Sequence, residues 1–146
     1  MKKYELTKET KNFRGMTLFR IRALKSFGNV SAGDIGGWVE RELNLSHSGN
    51  CWIYDNAQAS YYAMVSDDVQ VSGNAKVSDC ARVYGQVRIS DNAEVSGDTI
   101  VEDRVQVSGN AKGYGQVWID GDMIVSGNMR IAGRGWYRVP ENKKNT

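Results

Sequence analysis

Asparagine recurs every 18 residues along this chain, at Asn56, Asn74, Asn92, Asn110 and Asn128. That interval is three times a shorter one. Small residues repeat every six, from Ala57, Ala63, Val69, Ala75, Ala81, Val87 and Ala93 onward to Met129. An aliphatic follows two places after most of them, as at Val65, Val71, Val77, Val83 and Ile89. A period of 18 made of three sixes builds a solenoid of triangular section, with three short strands per coil and each corner stacked on the one below. The five asparagines then share one corner column, where their amides are expected to form a hydrogen-bonded ladder.

One unit, Val71-Ser72-Gly73-Asn74-Ala75-Lys76, shows how such a coil makes a core. Val71 and Ala75 face inward on either side of a turn, and Lys76 faces out between Ala75 and Val77 by strand alternation. Gly73, Asp91, Gly109 and Gly127 carry the sharp corner, because Gly, Asp and Asn tolerate left-handed backbone. The rule reads over residues 45–134, about five coils. Ala59 and Gly113 stand where an aliphatic is due, so a thin or locally repacked core is expected there.

The pattern of aliphatic, variable residue, two turn residues and small residue resembles the hexapeptide-repeat family. That resemblance implies an all-β, left-handed parallel β-helix. The segment Gly36-Gly37-Trp38-Val39, followed by Gly49-Asn50-Cys51-Trp52-Ile53-Tyr54-Asp55-Asn56-Ala57, is similar to the opening of a bacterial and phage group within that family. Its members are described as transferases or as polymer-forming proteins.

Residues 1–44 lie outside the repeat and are expected to form an N-terminal β cap. Thr17 to Leu24 alternates like a strand, with Phe19, Ile21 and Ala23 on one face and Arg20 and Arg22 on the other, while Tyr4 and Leu6 can pair beside it. A cap is needed because an open solenoid end exposes unpaired backbone and apolar core. At the far end, residues 135–146 are read as a second cap, formed by Trp136, Tyr137 and Val139, and a loose Lys-rich tail.

The length fits a single domain. Sixteen glycines against the single Pro140 indicate tight turns rather than disorder. No stretch approaches a membrane span, and the basic start lacks the apolar run of a signal peptide, so a cytoplasmic location is expected. Cys51 and Cys80 are 29 residues apart, which is not a multiple of 18, and they lack zinc-site pairing. Free thiols follow, as suits a reducing compartment.

Charge is uneven. Residues 1–30 hold eight Lys or Arg against Glu5 and Glu9, whereas residues 51–135 hold seven basic and eleven acidic residues. Arg14, Arg20, Arg22 and Lys25 could attract an acidic surface or nucleic acid. No nucleic-acid motif accompanies them, and a solvated charged strand is the favoured reading. Of the outward positions, one column holds Trp52, Gln70, Arg88, Gln106 and Ile124. Another holds Met64, Arg82, Ile100 and Trp118, flanked by Tyr62 and Tyr84. This apolar and aromatic stripe is expected to mark an interface, either with a protein partner or with a second copy.

Hexapeptide-repeat acyltransferases generally use a histidine as general base, beside a loop that leaves the helix. Here the single histidine, His47, falls at an inward site, and no inserted loop interrupts the period. Turn geometry accounts for most of Asp55, Asp67, Asp68, Asp79, Asp91, Asp103 and Asp120; they could coordinate calcium, but the nine-residue calcium repeat is absent. No glycine-rich phosphate loop opens a helix. The expectation is therefore a non-catalytic protein without cofactor or metal, a phage-type β-helix that binds and blocks a host protein. An acyltransferase using His47 is the alternative, and a self-assembling structural protein is a third.

Overall fold

The computed structural model describes residues 2–138, so Val139 and the Lys-rich tail lie outside the described residues. Two long strands, β1 (Tyr4–Phe13) and β2 (Met16–Ala23), form an antiparallel hairpin that turns at Arg14 and Gly15, both with positive φ. β2 pairs antiparallel with β3 (Ile35–Val39), and β3 in turn pairs parallel with Gln58–Ala59. The hairpin is thereby spliced into the first face of the solenoid. That face continues through Lys76–Val77, Glu94–Val95, Lys112–Gly113 and Arg130–Ile131.

The second face stacks Trp52–Ile53, Gln70–Val71, Arg88–Ile89, Gln106–Val107 and Ile124–Val125. The third stacks Met64–Val65, Arg82–Val83, Ile100–Val101, Gln116–Asp120 and Arg134–Arg138. Rungs pair in register with the residue 18 positions on, for example Arg88 with Gln70 and Gln106. The result is an all-β parallel solenoid. Its first face is six parallel strands deep, the eight-stranded sheet less β1 and β2. The repeat reads as about five coils, and β3 adds a rung that the repeat does not predict, because it pairs 20 rather than 18 residues on, Trp38 with Gln58 and Val39 with Ala59.

Alternation fixes the core. Val71, Val77, Val83, Ile89, Val95 and Val101 are fully buried, as are Ala57, Ala63, Ala75, Ala81, Ala93 and Ala111. At Gly113 the missing side chain is covered by Ile119, whose Cδ1 would lie 3.4 Å from an added Cβ. Trp52 occupies an outward position by the repeat, yet it is buried, with Tyr4 and Phe27 packed edge-on at 6.1 and 5.4 Å. The N-terminal segment folds over it.

The corners are held differently from the expected asparagine ladder. The five asparagines do stack, but all are exposed, and among the described residues one side-chain bond joins two of them, Asn110 Nδ2 to Asn128 Oδ1 at 3.5 Å. Connections between coils run instead through aspartates at all three corners, of which Asp55 and Asp91 precede an asparagine of the column. Asp55, Asp67, Asp79, Asp91 and Asp103 adopt φ between 57° and 65°. Their Oδ2 atoms accept the backbone N–H of Gly73, Gly85, Gly97, Gly109 and Gly121 in the next coil, at 2.8–3.0 Å. An aspartate tolerates the left-handed corner and satisfies an amide in the next coil.

Candidate functional site

A cluster of polar side chains forms where the N-terminal segment crosses the first coil. A short 3-10 turn, Glu42–Asn44, precedes Leu45. Buried Asn44 fixes it: Oδ1 accepts the N–H groups of Glu40 and Arg41, and Nδ2 donates to the carbonyls of Tyr61 and Ala63. The Tyr4 hydroxyl donates to the Leu45 carbonyl at 2.6 Å and the Glu42 carbonyl at 3.0 Å. The turn is thus tied to both the hairpin and the next coil.

His47 stacks on the Tyr4 ring, with centroids 4.2 Å apart and planes 14° from parallel. Its Nδ1 accepts the Lys3 backbone N–H at 3.1 Å, and its Nε2 lies 3.0 Å from Glu42 Oε1. An acceptor at Nδ1 assigns the hydrogen to Nε2, which donates to the carboxylate. The inward placement read from the repeat is corrected here: His47 lies on the rim, its side chain 29% exposed, because the chain has not yet entered regular rungs. Glu42 also takes Lys2 Nζ, and the hydrogen bonds from Lys2 and then His47 hold its carboxyl below the usual range.

Beneath this pair lies a fully buried lysine. Lys3 Nζ donates to the carbonyls of Cys51 at 2.7 Å and Gly49 at 3.2 Å, approaches Cys51 Sγ at 3.4 Å, and sits 4.6 Å from the Phe27 ring centre. Burial lowers the Lys3 pKa and raises that of the Cys51 thiol. A histidine with a carboxylate on one nitrogen is the arrangement of a general base and its orienting acid. Lys3 and Tyr4, which complete it, carry no motif and were missed by the sequence reading. Only a tertiary contact spanning 44 positions reveals them.

The other sequence-derived residues are dispersed. Arg20 stacks over Trp38 and reaches Asn56 Oδ1 at 3.4 Å, Arg22 is paired with Glu5, Arg14 lies over Phe13, and Lys25 is exposed. In the third-face stripe, Tyr62 is 60% exposed and Trp118 41%, with Met64 and Arg82 also exposed and Ile100 half-buried. Trp136 extends the stripe, its centroid 5.7 Å from that of Trp118. Tyr84 instead turns its hydroxyl to Glu102 Oε2 at 2.6 Å, where Trp118 Nε1 also donates at 2.8 Å. Glu102, Asp103 and Asp120 bring carboxylate oxygens within 4.8 Å of one another. Each already has a protein partner: Glu102 as described, Asp103 with the Gly121 amide, and Asp120 with Arg138 Nε at 3.3 Å. Both cysteines are free, Cys51 buried and Cys80 exposed. No helix among the described residues is long and apolar enough to cross a membrane.

The rungs, corners and core define a parallel β-solenoid with hexapeptide periodicity. No family profile matches the chain. It is 41% identical over 75 residues to a protein of Escherichia coli (strain K12) described as "Uncharacterized acetyltransferase YdcK". The match covers 45% of this chain and 23% of that relative, so the chain spans about a quarter of the relative's length. Solenoid and relative together fit a left-handed β-helix family. The likeness also overturns the expectation of a non-catalytic inhibitor of a host protein. The relative's description points to the enzyme reading, which an uninterrupted repeat and a supposedly inward histidine had argued against.

Proposed function

We propose that the protein is an acyl-transfer enzyme of the hexapeptide-repeat type, with His47 as its base and Glu42 as the carboxylate that orients it. The observation that carries this reading is the likeness to a protein described as an acetyltransferase. The dyad of His47 and Glu42 at the solenoid rim gives it a chemical basis. In this reading Nδ1 takes the proton from an acceptor hydroxyl or amine as that group attacks the thioester carbonyl of an acyl-coenzyme A. Glu42 stabilises the imidazolium, which then protonates the departing thiolate. For Nδ1 to act, the Lys3 amide must swing off it, so productive binding displaces the first residues of the chain. The third-face stripe serves, in the same proposal, as a contact with a second copy.

The test is acetyl-coenzyme A binding by calorimetry and thiol release with a panel of amine and hydroxyl acceptors. His47→Gln is expected to leave the circular dichroism intact and lower turnover by about 10²–10⁴-fold. Absence of saturable coenzyme binding at millimolar concentration, or turnover unchanged in His47→Gln, would overturn it.

A further inference from the structure

The second face carries an open groove of about 510 Å³ lined by Asp68, Gln70, Gln86, Arg88, Arg104 and Gln106. Two columns build it. Gln70, Arg88 and Gln106 pair in register on adjacent strands, so Arg88 is flanked by an amide one strand spacing below and another above. Asp68, Gln86 and Arg104 form the parallel column at the neighbouring corner, each 18 residues from the next. Arg104 donates through Nε to Asp122, and Asp68 accepts the Asn50 backbone N–H through Oδ1. The Arg88 guanidinium and the three glutamine amides make no side-chain hydrogen bond with the described residues.

We propose that this groove binds an acidic glycan, with a carboxylate of the sugar chain held by Arg88 and its hydroxyls by the surrounding amides and Asp68. The lining is polar at all six positions, whereas a protein interface needs an apolar core. It offers a fork of donors for one planar carboxylate, and amides that both donate to and accept from hydroxyls. Nucleic acid fits poorly. Arg104 is already paired, Asp68 opposes a run of phosphates, and no aromatic ring among the six can stack a base. Parallel rungs at a constant spacing suit an extended chain laid across the face, and the groove is open rather than enclosed. This inference does not depend on acyl transfer at His47.

The probe is an oligosaccharide of about six sugars that carries a single uronic acid among neutral sugars, titrated into ¹⁵N-labelled protein; its length lets it span the three rungs. Binding should shift the Gln70, Gln86 and Gln106 side-chain amides and the Arg88 Nε–H. Arg88→Gln should weaken binding about tenfold or more, whereas Lys76→Gln on the first face leaves it unchanged. The methyl-esterified oligomer, which has the same hydroxyls without the charge, should lose affinity to the same degree as the variant. The proposal fails if the acid and its ester bind alike, if nothing binds at millimolar concentration, or if shifts map to another face. It also fails if a single-stranded DNA hexamer binds the groove more tightly.

Discussion

At the residue scale, the repeat's most visible letter is not its most structural one. Asn92 and Asp91 are neighbours at a corner, and the asparagine column is unbroken where the aspartate one is not. Both residues are exposed, but Asn92 makes no side-chain hydrogen bond with the described residues, whereas Asp91 holds φ at 58° and accepts the Gly109 amide at 2.9 Å. Replacing Asp91 with Ala removes that acceptor and puts a less tolerant residue in the left-handed region. The expected loss is roughly 1–3 kcal/mol. Asn92→Leu, which removes no buried partner, should stay within about 0.5 kcal/mol. Urea melts of the two variants decide it, and an equal cost would show that the exposed asparagines carry the corner after all.

At the element scale, the hairpin β1–β2 covers the lower end of the solenoid and anchors the turn that carries Glu42. The anchor is electrostatic at its rim. Because the Glu42 pKa is lowered in the folded protein, chiefly by Lys2 and then His47, its contribution is present above the ordinary carboxylate value and is lost as the pH falls through the lowered one. Thermal midpoints should therefore decline below about pH 4, and Glu42→Gln should flatten that part of the curve. An unchanged acid limb in the variant would show that other carboxylates set it. The rungs were legible in the sequence because alternation and the six-residue period are local, so Val71, Ala75 and Val77 declare their faces without help. β3 was not legible as a rung, since nothing in Gly36-Gly37-Trp38-Val39 repeats, and its register is set by β2 on one side and Gln58–Ala59 on the other. The same holds for His47. Its repeat position pointed inward, but Lys3, Tyr4 and Glu42 reach it from outside the repeat and hold it at the rim.

At the scale of the whole molecule, the three faces are chemically unlike, although one backbone rule builds them all. The first carries charges of both signs, among them Lys112 and Glu94 at 3.8 Å. The second holds the polar groove, and the third holds Tyr62, Met64, Trp118 and Trp136. Aromatic side chains lose little conformational entropy on docking and bury large areas, so the third face is the one suited to a stable contact between copies. Trp136 is the better probe of that contact than Trp118, because Trp118 is also tied to Glu102 within the chain. Trp136 is 62% exposed, and its replacement by Arg leaves the core rungs untouched. Sedimentation at tens of micromolar should show an oligomer for the wild type and a shift toward monomer for Trp136→Arg, with the far-ultraviolet circular dichroism unchanged. The groove variant Arg88→Gln, on a different face, should sediment as the wild type does. A wild-type monomer under these conditions would remove self-association from the proposal and leave acyl transfer to be carried out by a single chain.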